Sequence, residues 1–224
     1  DPAASLKCDL TPQGFHAMIR SARRGSIFID PYQQGDREHS IVYRKQDLDP
    51  KEPFACSLDP ENALPETIKN DAPELVGDCT FRRYRLALAC TGEYATFHGG
   101  TKPLVLAAMN TTMNRVNGVY ERDLAVTMQI IANNDTLIFL DPVTDGYSNG
   151  NGSTMLGQNQ TKCNTLIGSA NYDIGHVFST GGGGVAGLGV VCNNSTKARG
   201  VTGRNAPIGD PFDIDYVAHE MGHQ

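Results

Sequence analysis

Two histidines and a glutamate near the C-terminal end of the chain have the spacing of a metal site. Residues 215–224 read DYVAHEMGHQ and contain the pattern H-E-x-x-H at His219, Glu220 and His223. Residues four apart lie on one face of an α-helix, so the imidazoles of His219 and His223 can bind a single ion. Glu220 is about 100° further round the helix, where its carboxylate can reach a water molecule on the metal without being a ligand.

This arrangement predicts zinc-dependent hydrolysis of a peptide bond. Catalytic zinc sites use histidine nitrogens and keep one coordination position open for water. Zinc lowers the pKa of that water to about 7, so Glu220 can take its proton as general base and return it to the leaving amine. The pattern arises by chance in roughly 1% of such chains or fewer. A structural histidine pair on a surface helix is the other explanation, but the apolar neighbours favour a buried helix.

Elements of an α/β pattern, beginning near residue 80, would position this site. Spacings of three and four residues predict a long helix over residues 101–122, with Thr101 as its cap and Pro103 in its first turn. Alternating apolar residues predict strands at 83–90 and 124–130, and a shorter apolar run predicts another at 136–140.

The segment that leads to the motif is rich in glycine. The tract Gly181–Gly184 lacks the G-K-[ST] sequence of a phosphate-binding loop, so we interpret it as allowing close approach between a loop and a strand. A strand is predicted over residues 185–192. Asp210 then caps the final helix, with Pro211 at its first position.

The first 48 residues are predicted to be rich in β-structure, with strands at 15–19, 26–30 and 40–44. Residues 47–78 are dominated by Asp, Glu and Pro, which is typical of a linker that proteases cleave.

Composition excludes two classes of protein. Lys and Arg number 19 against 25 Asp and Glu, a net charge of −6, which disfavours nucleic-acid binding. No apolar run is long enough to span a membrane. The six cysteines, none in a C-x-x-C pair, favour an oxidising, secreted or cell-surface location, although a set of reduced core thiols stays open. They are Cys8, Cys56, Cys79, Cys90, Cys163 and Cys192.

Five stretches of the chain resemble the reprolysin-like (adamalysin-like) metzincin zinc proteases of the bacterial type. They are YRLALACTGEY (84–94), MNRVNGVYERD (113–123), NYDIGHVFS (171–179), GLGVVC (187–192) and DYVAHEMGHQ (215–224). The resemblance implies an α/β (α+β) fold. Its catalytic N-terminal subdomain, residues 76–224, has a mixed twisted sheet, a long helix and the active-site helix. Residues 1–75 are then a small β-rich propeptide end and linker.

The resemblance also implies roles for individual residues. The strand before the active-site helix forms the upper rim of the cleft, so Gly187, Leu188, Gly189 and Val190 are expected to bind an extended peptide substrate. A Cys163–Cys192 disulfide is expected by analogy, and Cys79–Cys90 is a weaker alternative.

Residues Gly14–Asp47 resemble the end of a propeptide, which makes Cys56 a candidate cysteine switch. A thiolate binds zinc strongly and can displace the catalytic water. The alternative is a disulfide between Cys56 and Cys8 or Cys79.

The metzincin motif continues as H-E-x-x-H-x-x-G-x-x-H, whereas this sequence stops at Gln224. The third zinc ligand is therefore expected beyond the chain end, in the remaining C-terminal part of the same protein. We expect the chain to be a truncated or cleaved piece that is inactive alone. Its last helical turn should lack hydrogen-bond partners and fray.

One histidine and two aspartates outside the motif could also bind a metal. His176 is interpreted as a hydrogen-bonded core or rim residue rather than a third ligand. Asp141 and Asp145 could hold calcium, but a solvated loop is favoured. The rival function is a non-catalytic peptide-binding or adhesin module on the same scaffold.

Overall fold

Two β-sheets organise the protein in the computed structural model, which describes residues 1–48, 56–58 and 80–224. The predicted mixed α/β fold class is confirmed. The first sheet has strand order β1-β2-β3-β4, formed by Ser5–Thr11, Gly14–Ser21, Gly25–Pro31 and Ser40–Arg44. The second has order β5-β9-β10-β8-β6-β7, formed in chain order (β5 to β10) by Cys56–Leu58, Arg82–Cys90, Val126–Ile130, Ile174–Ser179, Gly184–Ala186 and Gly200–Gly203.

Helices cover both faces of the second sheet. They are α1 (Gly92–Phe97), α2 (Lys102–Asp123), α3 (Gly152–Leu166), α4 (Gly209–Phe212) and α5 (His219–His223). Helix α2 and the α4–α5 segment pack in one hydrophobic core with Leu86, Leu88 and Phe178, and α3 packs in a second with Ala87, Ala89 and Val177. The two cores use alternating residues of β6 because successive side chains of a strand point to opposite faces. None of the helices in the described ranges is long and apolar enough to cross a bilayer.

The N-terminal sheet is antiparallel throughout. Its three predicted strands are confirmed as β2, β3 and β4, and β1 is an additional edge strand. The residues of β1 alternate apolar Leu6, Cys8 and Leu10 with polar neighbours, a strand pattern that the prediction did not use, and these apolar side chains are exposed. The predicted boundary between residues 75 and 76 lies outside the described residues.

Polar contacts fasten this sheet to α2. Lys7 pairs with Glu121 at 2.6 Å, and Arg20 pairs with Asp123 at 2.8 Å. Arg115 of α2, almost fully buried, joins Asp30 of β3 to Asp213 of the final helical segment. The N-terminal sheet therefore contacts the element that carries the H-E-x-x-H motif through one buried cation.

The predicted strand at 136–140 is wrong. A 3-10 turn forms at Asn134–Leu137, and only an isolated bridge joins Cys90 to Ile138. The buried amide of Asn134 accepts a hydrogen bond from the Leu88 N–H and donates one to the Leu88 carbonyl, both at 2.8 Å. A side chain thus satisfies the backbone groups that a paired strand would have used.

The predicted strand at 185–192 is only partly correct. Strand β9 ends at Ala186, and turns follow. Gly189 and Cys192 have positive φ angles of 61° and 65°, which are incompatible with an extended strand.

These turns bind the end of the final helix. The N–H of Gly189 donates to the carbonyl of His223 at 2.9 Å, and the N–H of Val191 donates to that of Gln224 at 3.1 Å. The prediction that the last helical turn lacks hydrogen-bond partners is therefore wrong.

The final helix begins one residue before the predicted cap. Helix α4 starts at Gly209, continues into a π-helical turn at Asp213–Ala218 and ends as α5. Asp210 lies inside the helix, where its buried carboxylate accepts a hydrogen bond from Lys45 at 2.7 Å. The π-helical turn alters the helical phase just before His219.

Candidate metal centre

Helix α5 brings the two histidines of the motif together as their spacing predicts. The Nε2 atoms of His219 and His223 are 3.0 Å apart. Their ring centroids are 4.6 Å apart, with the planes nearly perpendicular at 87°. The two nitrogens therefore point at one position beside the helix.

A third donor arrives from the short strand β5. The Sγ atom of Cys56 lies 3.3 Å from Nε2 of His223, and the ligand atoms of Cys56, His219 and His223 all lie within 4.8 Å of one another. Strand β5 pairs in parallel with β9, with Cys56 opposite Gly184. Sheet pairing therefore holds the thiol at the two histidines.

The donor set and its spacing fit zinc. A tetrahedral site with Zn–N bonds of about 2.05 Å has nitrogens separated by about 3.3 Å, and a sulfur donor is slightly farther away. The separations of 3.0 Å and 3.3 Å are close to these values. Two imidazoles and one thiol are also donor types that zinc prefers.

The electrostatics keep the imidazole of His223 available as a ligand. Burial, together with the neighbouring His219, lowers the pKa of His223. Burial and the Glu220 carboxylate raise the pKa of the Cys56 thiol to about 11. Without a cation the thiol is therefore protonated, and binding a divalent ion would release its proton.

Glu220 is fully buried beside this cluster. Apart from a weak interaction with the Cys56 thiol, neither of its carboxylate oxygens has a hydrogen-bond partner among the described residues. Burial raises the pKa of Glu220 to about 7, and the nearby Cys56 thiol only partly opposes that rise. An unpartnered buried carboxylate is costly in structural terms and is typical of a functional group.

Gly184 makes room for Glu220. A Cβ at this position would lie 2.6 Å from Cδ and 2.9 Å from Cγ of Glu220, well inside contact distance. The glycine tract therefore permits a close approach, but between β9 and helix α5 rather than between the predicted loop and strand. Sequence reasoning identified the tract but not its partner, because the contact joins residues 36 positions apart.

The predicted Cys163–Cys192 disulfide is wrong. All five described cysteines are free, and Cys79 lies outside the described residues, as does any pairing that uses it. Cys163 belongs to α3, and its thiol is buried 3.7 Å from Oδ1 of Asn159 in the same helix, whereas Cys192 is exposed on a turn. The thiol of Cys56 lies at the histidines, away from Cys8.

The predicted substrate-binding residues do not form an extended edge. Gly187, Leu188, Gly189 and Val190 follow the end of β9, and Val190 is buried. The N–H of Gly189 is already used by His223. The strand beside the metal centre is instead Gly184–Ala186, whose outer edge carries β5.

His176 and Asp145, the other residues considered as metal ligands, both make hydrogen bonds within the protein. His176 is a hydrogen-bonded core residue, as predicted: its Nδ1 is 2.7 Å from Oε1 of Gln224, and its Nε2 is 2.8 Å from Oγ1 of Thr202. Asp145 is buried and accepts hydrogen bonds from the N–H groups of Gly92 and Tyr147. It therefore caps a helix start and a turn, whereas Asp141 lies in an exposed loop as predicted.

Residues 106–224, just over half of the chain, match the model of metallopeptidase family M12B, reprolysin-like. The chain belongs to this reprolysin-like family. No curated protein matches the sequence.

Membership makes the chain a metallopeptidase by family, and M12 peptidases generally use zinc. The matched region runs from α2 through α5 and contains both histidines and Glu220. The N-terminal sheet and Cys56 lie outside it.

Proposed function

We propose that this reprolysin-like chain is the latent form of a secreted zinc endopeptidase of the metzincin type. His219 and His223 hold the zinc, Glu220 is the general base, and Cys56 is a cysteine switch. The convergence of these three donors beside an unpartnered carboxylate carries the proposal. A peptide-binding module without catalysis would have no use for such a carboxylate.

Zinc, when bound, polarises the scissile carbonyl and activates water as a nucleophile. Glu220 accepts the proton of that water and delivers it to the leaving amine. Its position against β9 keeps the carboxylate out of bulk water. Bulk water therefore does not compete for the proton.

Latency follows from the position of Cys56. Its thiol occupies the place beside His219 and His223 where the attacking water would bind. The chain is therefore expected to be inactive until strand β5 is displaced or removed.

The same displacement would open the substrate site. Strand β9 pairs with β10 on one side and with β5 on the other, so β5 fills the edge that an extended peptide would use. We propose that a protein or peptide substrate adds to Gly184–Ala186 by backbone hydrogen bonding once β5 leaves.

Metal binding is the first test. The full chain should bind one equivalent of zinc. With cobalt in its place, the wild-type protein should show a thiolate-to-cobalt charge-transfer band. Cys56→Ser should abolish this band and retain the metal, whereas His219→Ala should weaken binding severely. Metal binding that does not depend on His219 would contradict the assignment.

Hydrolysis of a peptide library is the second test. This test uses the protein extended to the third ligand that is expected after Gln224. In it, Cys56→Ser should be active where the wild type is silent, and adding Glu220→Gln should abolish that activity while the metal stays bound. Equal hydrolysis by Cys56→Ser and by Cys56→Ser/Glu220→Gln would exclude Glu220 as the base. A Cys56→Ser protein that hydrolyses no peptide would contradict the cysteine switch.

A further inference from the structure

A buried amide follows directly after the second histidine of the metal centre. Gln224 is nearly enclosed by protein. Its Nε2 donates to the carbonyl of Gly175 at 2.9 Å, and its Oε1 lies 2.7 Å from Nδ1 of His176. The residue beside His223 is therefore held by the buried strand β8.

These contacts determine which nitrogen of His176 carries the proton. The amide nitrogen of Gln224 faces a carbonyl, so its oxygen must face His176, and Nδ1 of His176 must be the donor. Nε2 is then an acceptor for the hydroxyl of Thr202 at 2.8 Å. Burial lowers the pKa of His176 to about 4, which is consistent with a neutral ring of one defined tautomer.

The backbone around this chain of hydrogen bonds is shaped to fit it. A Cβ at Gly200 of β10 would overlap both Oε1 of Gln224 and Nδ1 of His176. The carbonyls of His223 and Gln224 accept N–H groups from the turn that follows β9. Side-chain and backbone contacts together therefore restrain the last turn of α5.

We propose that Gln224 and His176 are positioning residues for the metal centre, which hold His223 in its ligating orientation through the hydrogen-bond chain Gln224–His176–Thr202. Neither residue touches the metal position. The inference rests on the proposed function, because it assumes that His223 is a ligand. It adds a role for a histidine that is otherwise only a core residue.

Zinc affinity of the full chain, measured by competition with a chromogenic chelator, tests this role. Gln224→Met keeps the side-chain length and removes the amide, so it should weaken zinc binding by up to about tenfold, the smallest loss seen when a partner bonded directly to a ligand is removed. His176→Asn places an amide donor near the former Nδ1 position and should retain more affinity than His176→Leu. Thr202→Val, a nearly isosteric change, should give a smaller loss and serves if Gln224→Met does not fold.

The matched control is Asn117→Leu. This change also removes a side-chain amide that binds a strand, but that strand is β7, which β6 separates from the strand β8 that carries His176. It should lower the melting temperature and leave the zinc affinity of the folded protein unchanged. An equal loss of affinity in the control, or wild-type affinity in Gln224→Met, would overturn the proposal.

Long-range proton–nitrogen NMR tests the hydrogen-bond chain itself, independently of the zinc affinity. The ring of His176 should be in the Nδ1–H form in the wild-type protein and lose that preference in Gln224→Met. An Nε2–H ring in the wild type would refute the hydrogen-bond chain. If the wild-type protein binds no zinc, or if His219→Ala binds zinc as tightly as the wild type, the proposed function itself fails. That result differs from one in which only Gln224→Met keeps the wild-type zinc affinity, which would overturn the positioning role alone.

Discussion

Arg115→Met should be among the most destabilising single changes in the protein. The guanidinium of Arg115 pairs with Asp213 at 3.0 Å and with Asp30, and its side chain is only 2% exposed. The side chain of Asp213 is 3% exposed, and burial raises its pKa while Arg115 opposes that rise. Methionine would fill much of the volume but leave two neighbouring carboxylates without their cation.

Removing one partner of a buried ion pair costs about 3–5 kcal/mol. For a chain of this size each kcal/mol lowers the melting temperature by about 2–4 °C, so the expected decrease is roughly 6–20 °C. Asp30→Asn should cost only about 1 kcal/mol, because the stronger partner of the arginine remains and the amide can still accept a hydrogen bond.

Urea and thermal unfolding followed by circular dichroism measure these differences. The double variant Arg115→Met/Asp213→Asn removes the more deeply buried of the two uncompensated charges and keeps an acceptor for Thr112, which donates to Asp213 at 2.7 Å. It should recover most of the lost stability. Arg83→Met, on an exposed arginine, is the control and should change the free energy of unfolding by less than about 0.5 kcal/mol. A cost below about 1 kcal/mol for Arg115→Met, or strictly additive effects in the double variant, would refute the reasoning.

Three further predictions concern the site and its surroundings. Gly184→Ala in the Cys56→Ser protein should displace the Glu220 carboxylate by about 1 Å and reduce peptide hydrolysis about 100-fold. Gly157→Ala in the same protein is the control and should leave the rate unchanged, because a Cβ there meets nothing within 4 Å. Zinc at 100 times its dissociation constant should stabilise the chain by about 2.7 kcal/mol, as measured by urea unfolding and reversed by a chelator. Asp173→Asn should destabilise the protein at neutral pH, because the hydrogen bond from Arg85 lowers the pKa of Asp173. The difference in unfolding free energy between this variant and the wild type should shrink as the pH falls below 3.8 and through the lowered pKa of the folded state. A difference that persists at that low pH would contradict the role of the Arg85–Asp173 pair.

Local periodicity made much of the fold predictable. The helical spacing of Val105, Met109 and Met113 indicated α2, and alternating residues indicated β6 and β7. Where a single side chain replaced backbone pairing, as Asn134 does beside Leu88, the same rules predicted a strand that does not exist. The glycine-rich segment after Ala186 misled them too, because positive φ angles turn the chain there.

The histidine pair belongs to the part that sequence determines. Four residues make about one turn of helix, so His219 and His223 face the same side wherever that helix is placed. Glu220 is likewise fixed relative to them by helix geometry. The chemistry of two imidazoles and one carboxylate could therefore be read without any knowledge of the rest of the molecule.

The environment of that pair depends on tertiary structure. The thiol of Cys56 reaches His223 across 167 positions of sequence, and Gly184 clears the space for Glu220 only because β9 packs against α5. No local propensity encodes such contacts, since they arise from sheet order and from how closely elements pack. The sequence by itself determined which groups could bind a metal. Packing decided that a thiol faces them, that their carboxylate is buried, and that Cys163 and Cys192 stay apart.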